Sequence, residues 1–477
     1  MFFFVIPAKA GIQLVFMIAP KTALWLIALL VILRAVMSLM LPLTADEAYY
    51  WLWSQHLAAG YYDHPPAIAY LIRFGCAIFG ENRFGVRFAG LVLSLPATWF
   101  VFAAARQLLG DRGRAMLAAL IFNLALIMAA DLMAATPDMP SIVTASAFLY
   151  CLTQVDRNRA WWLAAGAAAG LSLLSKYSAL FLGAGALLWL VIARRRMLAT
   201  PWPWAGAALA VLIFLPNLLW QSQNHWMTFA FQFGRVAQTG PFTLRYLFEF
   251  LGAQIGLITP LILVLAGFGF VRAVKNRDAL LLPAMLIAPA LVYFLIHALN
   301  DRVQGNWTSF LFPAIAILAA SGNWQSWCAK LALPLAGLML AALYGQALLE
   351  IAPRNREPVA RVLGAGFPEL ADDIATDHPT IVTTDYQTTA WLRFYQPQMP
   401  VVQVNEAFRF PWGRAPVLAG PLYYLTEDKR DDAASLKPYF DITAPRLVDT
   451  MRAGYPVSHY RLYPLSAPKG NLPGKMP

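Results

Sequence analysis

Asp46 and Glu47 stand side by side in the stretch TADEAYYW, residues 44–51, directly after a long apolar run. Thr44 and Glu47 have the spacing of a capping box, in which the threonine caps a helix and the glutamate reaches back to the cap backbone. That pairing accounts for Glu47 but makes no use of Asp46. Asp46 shares a helix face with Tyr49 and Tyr50, three and four residues on. A carboxylate flanked by phenols has the make-up of a general base. The competing account is that both acids simply favour the start of a helix.

Other candidates follow along the chain. YYDHPP, residues 61–66, offers Tyr62, Asp63 and His64 before a Pro-Pro helix start. A turn and an interfacial amphipathic helix over 67–79 would explain its aromatics equally well. TPDMP, residues 136–140, sets Asp138 between two prolines at a helix boundary, where an N-cap is the plain alternative. Lys176, in SKYS, stands between the apolar stretches 161–175 and 177–192. A lysine there either snorkels to the interface or holds a phosphate at membrane depth. His225, Arg245, Arg302 and Asn306 are weaker candidates, and Asn306-Trp307 also reads as an interfacial anchor.

These side chains need a scaffold, and composition names it. Of 477 residues, 59% are hydrophobic and 13% are charged, against about 25% charged in soluble domains. The chain therefore belongs in a membrane. Its formal charge of +11 lies in short clusters between apolar runs, which argues against nucleic acid as a partner. Of three cysteines, Cys76 reads as part of a polar-flanked loop, and Cys151 and Cys328 lie in or beside apolar runs. No C-x-x-C spacing occurs and no disulfide framework is expected.

A hydrocarbon core takes about 20 apolar residues per helix. Eleven apolar runs fit, from 22–43 through 115–130 and 247–271 to 331–349. Arg106/Arg112/Arg114, Arg157/Arg159, Arg194–Arg196, Arg272/Lys275/Arg277 and Lys330 recur at alternate connections and mark the cytoplasmic side. The candidate residues then fall on the opposite face. From about 352 onward the chain is charged, Pro-rich and less apolar, and 380–404 reads as strand, helix, strand. The expectation is an α-helical polytopic membrane protein of about eleven transmembrane helices with a small C-terminal α/β extracytoplasmic domain. Its parts are a membrane domain over 17–351, carrying the outer loop 44–83, and the C-terminal domain over 352–477. Met17 makes a better beginning than Met1, so residues 1–16 are expected to have no function.

No P-loop, dinucleotide fingerprint, G-x-S-x-G elbow or H-E-x-x-H pair is present. Carboxylates and cations on an outer face, beside lipid, suit a phosphate-linked lipid substrate. Six stretches in order, DEAYYW, DHPP, TPDMP, SKYS, NHWMTFAFQ and GNWTSFLFPAIAILAA, resemble polyprenyl-phosphate-sugar-dependent glycosyltransferases of the GT-C fold. The branch is the bacterial one related to protein O-mannosyltransferases and the lipid A aminoarabinose transferase. The resemblance covers roughly residues 20–320.

It implies inverting transfer of a sugar from an undecaprenyl-phosphate donor to an envelope lipid, glycan or protein, at the periplasmic face of the inner membrane. Asp46 would be the base, Lys176 and His64 would bind donor phosphate, and Asp138 would organise the first loop. Glu47, Tyr49, Tyr50, Tyr62, Asp63, His225 and Asn306 would support them. His64 departs from the aminoarabinose branch, which has a lysine before the Pro-Pro pair. The family admits a divalent metal near the site, and the sequence offers no ligand set for one. Two other readings are a lipid or glycan transporter and an O-antigen ligase-like enzyme. The first calls for inverted repeats and mid-span charges, the second for arginine-rich outer loops, and neither pattern is evident.

Overall fold

The computed structural model describes residues 19–237, 240–324, 326–412, 418, 420–466, 468 and 469, with no side chains at 235–237. The expectation for residues 1–16 lies outside them. The chain divides into two compact units that interleave in sequence. One takes the chain up to Ser38, Asp63–Ile68 and Arg87–Leu343, and the other takes Leu39–Tyr62, Ala69–Val86 and the chain from Tyr344.

The first unit is helical. Among the described residues of the whole chain, four helices are long and apolar enough to cross a membrane: Pro20–Met40, Arg83–Leu109, Pro201–Gln223 and Trp327–Leu349. A fifth arises if Arg245–Ile258 and Pro260–Asn276, bent by 101°, count together. Length and composition thus support four or five spans, where the sequence pattern predicts eleven. Hydropathy counts apolar residues and is blind to backbone breaks. The run 247–271 is not one helix: Thr259 takes φ 75° before Pro260, which lacks an N–H and disfavours helix in its predecessor. The run 115–130 breaks at Ala125, whose extended backbone separates Arg112–Leu124 from Leu126–Asp131.

Small residues let these helices approach closely, as suits packing without a hydrophobic driving force. Trp161–Ser175 meets Pro201–Gln223 so tightly that a Cβ on Gly166 would stand 2.1 Å from the Gly206 carbonyl oxygen. Arg34, buried in an apolar helix, donates from its two terminal nitrogens to the side-chain and backbone oxygens of Asn123 at 2.9 and 3.1 Å. An unpartnered charge there would be costly.

The second unit holds the helices Ala45–Ser54 and Tyr386–Tyr395 and a five-stranded sheet. The strands are β1 (Thr380–Thr383), β2 (Val401–Gln403), β3 (Leu422–Glu427), β4 (Arg446–Arg452) and β5 (Tyr455–Leu465), ordered β2-β1-β3-β5-β4. β1 runs parallel to β2 and β3, and β5 runs antiparallel to β3 and β4. The strand, helix, strand read over 380–404 is β1, Tyr386–Tyr395 and β2. Val382, Val402, Tyr424, Phe440 and Tyr463 pack the sheet's core. Cys76, read from sequence as a loop residue, is buried within the helix Ala67–Phe79, because the apolar pattern continues past it to Phe79.

Candidate active site

In the second unit the capping box is formed. Thr44 Oγ1 accepts from the Glu47 N–H at 3.2 Å and Glu47 Oε2 accepts from the Thr44 N–H at 3.0 Å, with Glu47 fully buried. Asp46, beside it in the same turn, accepts a hydrogen bond at 2.9 Å from the phenol of Tyr386. The Tyr49 ring lies 5.0 Å from that of Tyr386 and 5.5 Å from that of Phe410. Tyr50 packs edge-on against Trp53. Tyr62 meets Phe408 at 4.6 Å and the Arg409 guanidinium at 5.0 Å. Arg409 also covers Tyr386 at 4.8 Å and pairs with Glu406 at 3.2 Å. Burial holds the Glu406 carboxyl above its ordinary range, against the opposing pull of Arg409.

In the first unit Asp138, Lys176 and Asn306 come together. Asp138 opens the helix Asp138–Gln154. Lys176 sits in extended backbone between Trp161–Ser175 and the 3-10 turn Tyr177–Ala179. That break swings its side chain out of the helical path, and Lys176 Nζ donates to Asp138 Oδ1 at 2.7 Å. Asn306, in the 3-10 segment Gly305–Leu311, donates to Asp138 Oδ2 at 2.8 Å. The two charged side chains are 13% and 5% exposed, so this is a desolvated pair whose members depend on each other. An ammonium has three donors, so an anion can share Lys176 with Asp138.

Sequence reasoning missed two members of this cluster. Asp131, at the end of Leu126–Asp131, accepts from Ser309 Oγ. Burial, and then the neighbouring Asp138 carboxylate, push the Asp131 carboxyl up to about 8, with Ser309 and Lys176 opposing. The available signal was a second acid in DLMAATPDMP, the stretch that supplied Asp138. Tyr386, Glu406 and Arg409 were missed as well, because nothing local to them points to Asp46.

The other candidates are placed as follows. Asp63 is buried and its backbone carbonyl accepts from Gln232 at 2.6 Å. His64 is half-buried. His225 is exposed in the turn after Pro201–Gln223, at φ 53°. Arg245 and Arg302 both reach Glu249, at 2.8 and 3.5 Å, and Arg245 lines an open cavity of about 770 Å³ with Thr243, Tyr246 and Asn300. Among the described residues, no three or more His, Cys, Asp or Glu side chains are gathered to hold a metal ion.

Residues 63–220 match the family model for dolichyl-phosphate-mannose-protein mannosyltransferase. Through these residues, about a third of the chain, it is similar to this family. The matched stretch contains His64, Asp138 and Lys176 and ends before Asn306 and the sheet. Among relatives, the chain is 27% identical to lipid A galacturonosyltransferase RgtD of Rhizobium johnstonii over 398 residues, 80% of this chain and 82% of the relative. It is 27% identical over 192 residues to the undecaprenyl phosphate-alpha-4-amino-4-deoxy-L-arabinose arabinosyl transferase of Pseudomonas savastanoi pv. phaseolicola, covering 39% of this chain and 31% of that relative. Its fold is that of ArnT from Cupriavidus metallidurans, solved bound to undecaprenyl phosphate. The TM-score is 0.64 at 17% identity, over 94% of this chain and 98% of that one.

Proposed function

We propose that the chain transfers a sugar from a polyprenyl-phosphate donor to lipid A, with inversion at the anomeric carbon, at the periplasmic face of the inner membrane. The observation that carries this reading is Asp46, a carboxylate that the capping box leaves over and a phenol holds. The lipid A acceptor is favoured by a relative of that specificity matched over four fifths of the chain. The basic clusters at alternate connections favour about eleven crossings with the sheet on the periplasmic side.

In the proposed reaction Asp46 accepts the proton of an acceptor hydroxyl as its oxygen attacks the anomeric carbon. The bond from that carbon to the phosphate oxygen breaks, and its electron pair leaves with polyprenyl phosphate. The leaving group is already acidic, so neutralising its growing charge matters more than protonating it. Lys176 supplies that charge and His64 a hydrogen bond, with Asp138 and Asn306 fixing the lysine.

The test is transfer in liposomes from labelled polyprenyl-phosphate galacturonic acid or aminoarabinose to lipid A. Transfer is expected from one donor, and Asp46→Asn should lower kcat by about 10³-fold. Full activity in Asp46→Asn would remove the base assignment. Absence of transfer from both donors, with lipid A unchanged by mass spectrometry in a deletion strain, would remove the acceptor.

A further inference from the structure

We propose that Tyr386 is the positioning residue of this reaction, its phenol holding the Asp46 carboxylate in one orientation. The inference rests on Asp46 as the base. A carboxylate on a helix's first turn rotates freely unless something takes one of its oxygens, and a base must keep its lone pair aimed through the transition state. Tyr386 Oη donates to Asp46 Oδ1 at 2.9 Å, from 340 residues away in sequence.

The phenol is itself held from several sides. Asp385 caps the helix Tyr386–Tyr395, its Oδ1 accepting from the N–H groups of Gln387 and Thr388 at 3.1 and 2.9 Å. Glu406 Oε2 accepts the Tyr386 backbone N–H at 2.6 Å, and Arg409 covers the ring at 4.8 Å. Gln387 Nε2 donates to Tyr386 Oη at 3.2 Å, which occupies a hydroxyl lone pair and directs the phenolic proton toward Asp46.

The same helix grips the backbone just before the base. Trp391 Nε1 donates to the Leu43 carbonyl at 2.8 Å, and the Leu43 N–H donates to Tyr395 Oη at 3.0 Å. One helix therefore fixes both the chain leading to Asp46 and its side chain. A ring serving only as packing would need no hydroxyl here. A cation over the ring face draws on its electrons and strengthens the O–H as a donor.

The experiment uses the full chain in liposomes with the labelled donor that supports transfer. Tyr386→Phe keeps the ring and removes the donor. It should lower kcat about tenfold, leave KM for the donor unchanged, and move the acid limb of kcat/KM upward by about one pH unit, because the donor favours the ionised carboxylate. Replacing Tyr386 by 3,5-difluorotyrosine keeps every contact, strengthens the donor and should move that limb downward. This second form reports even if Tyr386→Phe folds poorly. An acid limb unmoved by both, with Asp46→Asn inactive, overturns the role of Tyr386 alone. Activity retained in Asp46→Asn overturns both readings.

Discussion

Asp46 and Asp138 both stand in the first turn of a helix, where a carboxylate gains from the macrodipole, yet their surroundings differ in kind. Asp138 has one oxygen on the Lys176 ammonium and the other on the Asn306 amide. Its charge is matched, and withdrawing it would strand a buried cation. Asp46 accepts from the Tyr386 phenol in an aromatic setting, a contact that orients a carboxylate. The first arrangement suits holding a cation for an anionic substrate, and the second suits accepting a proton. Two acids with the same local helix position are thus divided by the partners that packing brings to them.

The comparison breaks most visibly at Lys176. Removing one partner of a buried pair costs about 3–5 kcal/mol, because the other charge is left uncompensated. Lys176→Met should lower the unfolding midpoint in detergent accordingly, and Lys176→Met/Asp138→Asn should recover much of that stability without recovering transfer. Equal stability of the single variant and the native chain would show that the pair is not a desolvated one.

Asp131 gives an effect with a definite sign. Its carboxyl, raised from 3.8 to about 8, stays protonated in the fold where the unfolded chain has ionised. The unfolded state then binds fewer protons, so stability contributed by this group is full below about pH 4 and falls as pH rises toward 8. Asp131→Asn should flatten that slope in unfolding midpoints measured from pH 5 to 8. A slope equal to the native one would assign the pH dependence to other groups.

The smallest effect belongs to the capping box. Thr44→Ala should cost about 1 kcal/mol of stability and leave kcat per folded molecule close to native, since Glu47 rather than Asp46 loses its partner. A loss of kcat as large as that of Asp46→Asn would mean that cap and base are one unit.

Much of this was legible in the sequence where the signal is local. The capping box follows from two residue types at a fixed spacing, and β1, the helix after it and β2 follow from alternation and a change of period. Asp138, Lys176 and Asn306 could be named one by one because each is out of place in its surroundings. Their meeting could not be read, because the ion pair joins residues 38 apart and the amide bond residues 168 apart. The break at Thr259 escaped because the apolar run passes through Pro260 without a change of hydropathy.

By itself, then, the sequence determined the membrane class, the start of the helix at Ala45 and the list of side chains able to do chemistry. Each depends on composition or on neighbours within a turn. Only the tertiary structure decided that Lys176 neutralises Asp138 and that Tyr386 reaches Asp46 across 340 residues. Such partners are chosen by how helices and sheet pack, and a contact between distant segments leaves no pattern in either segment alone.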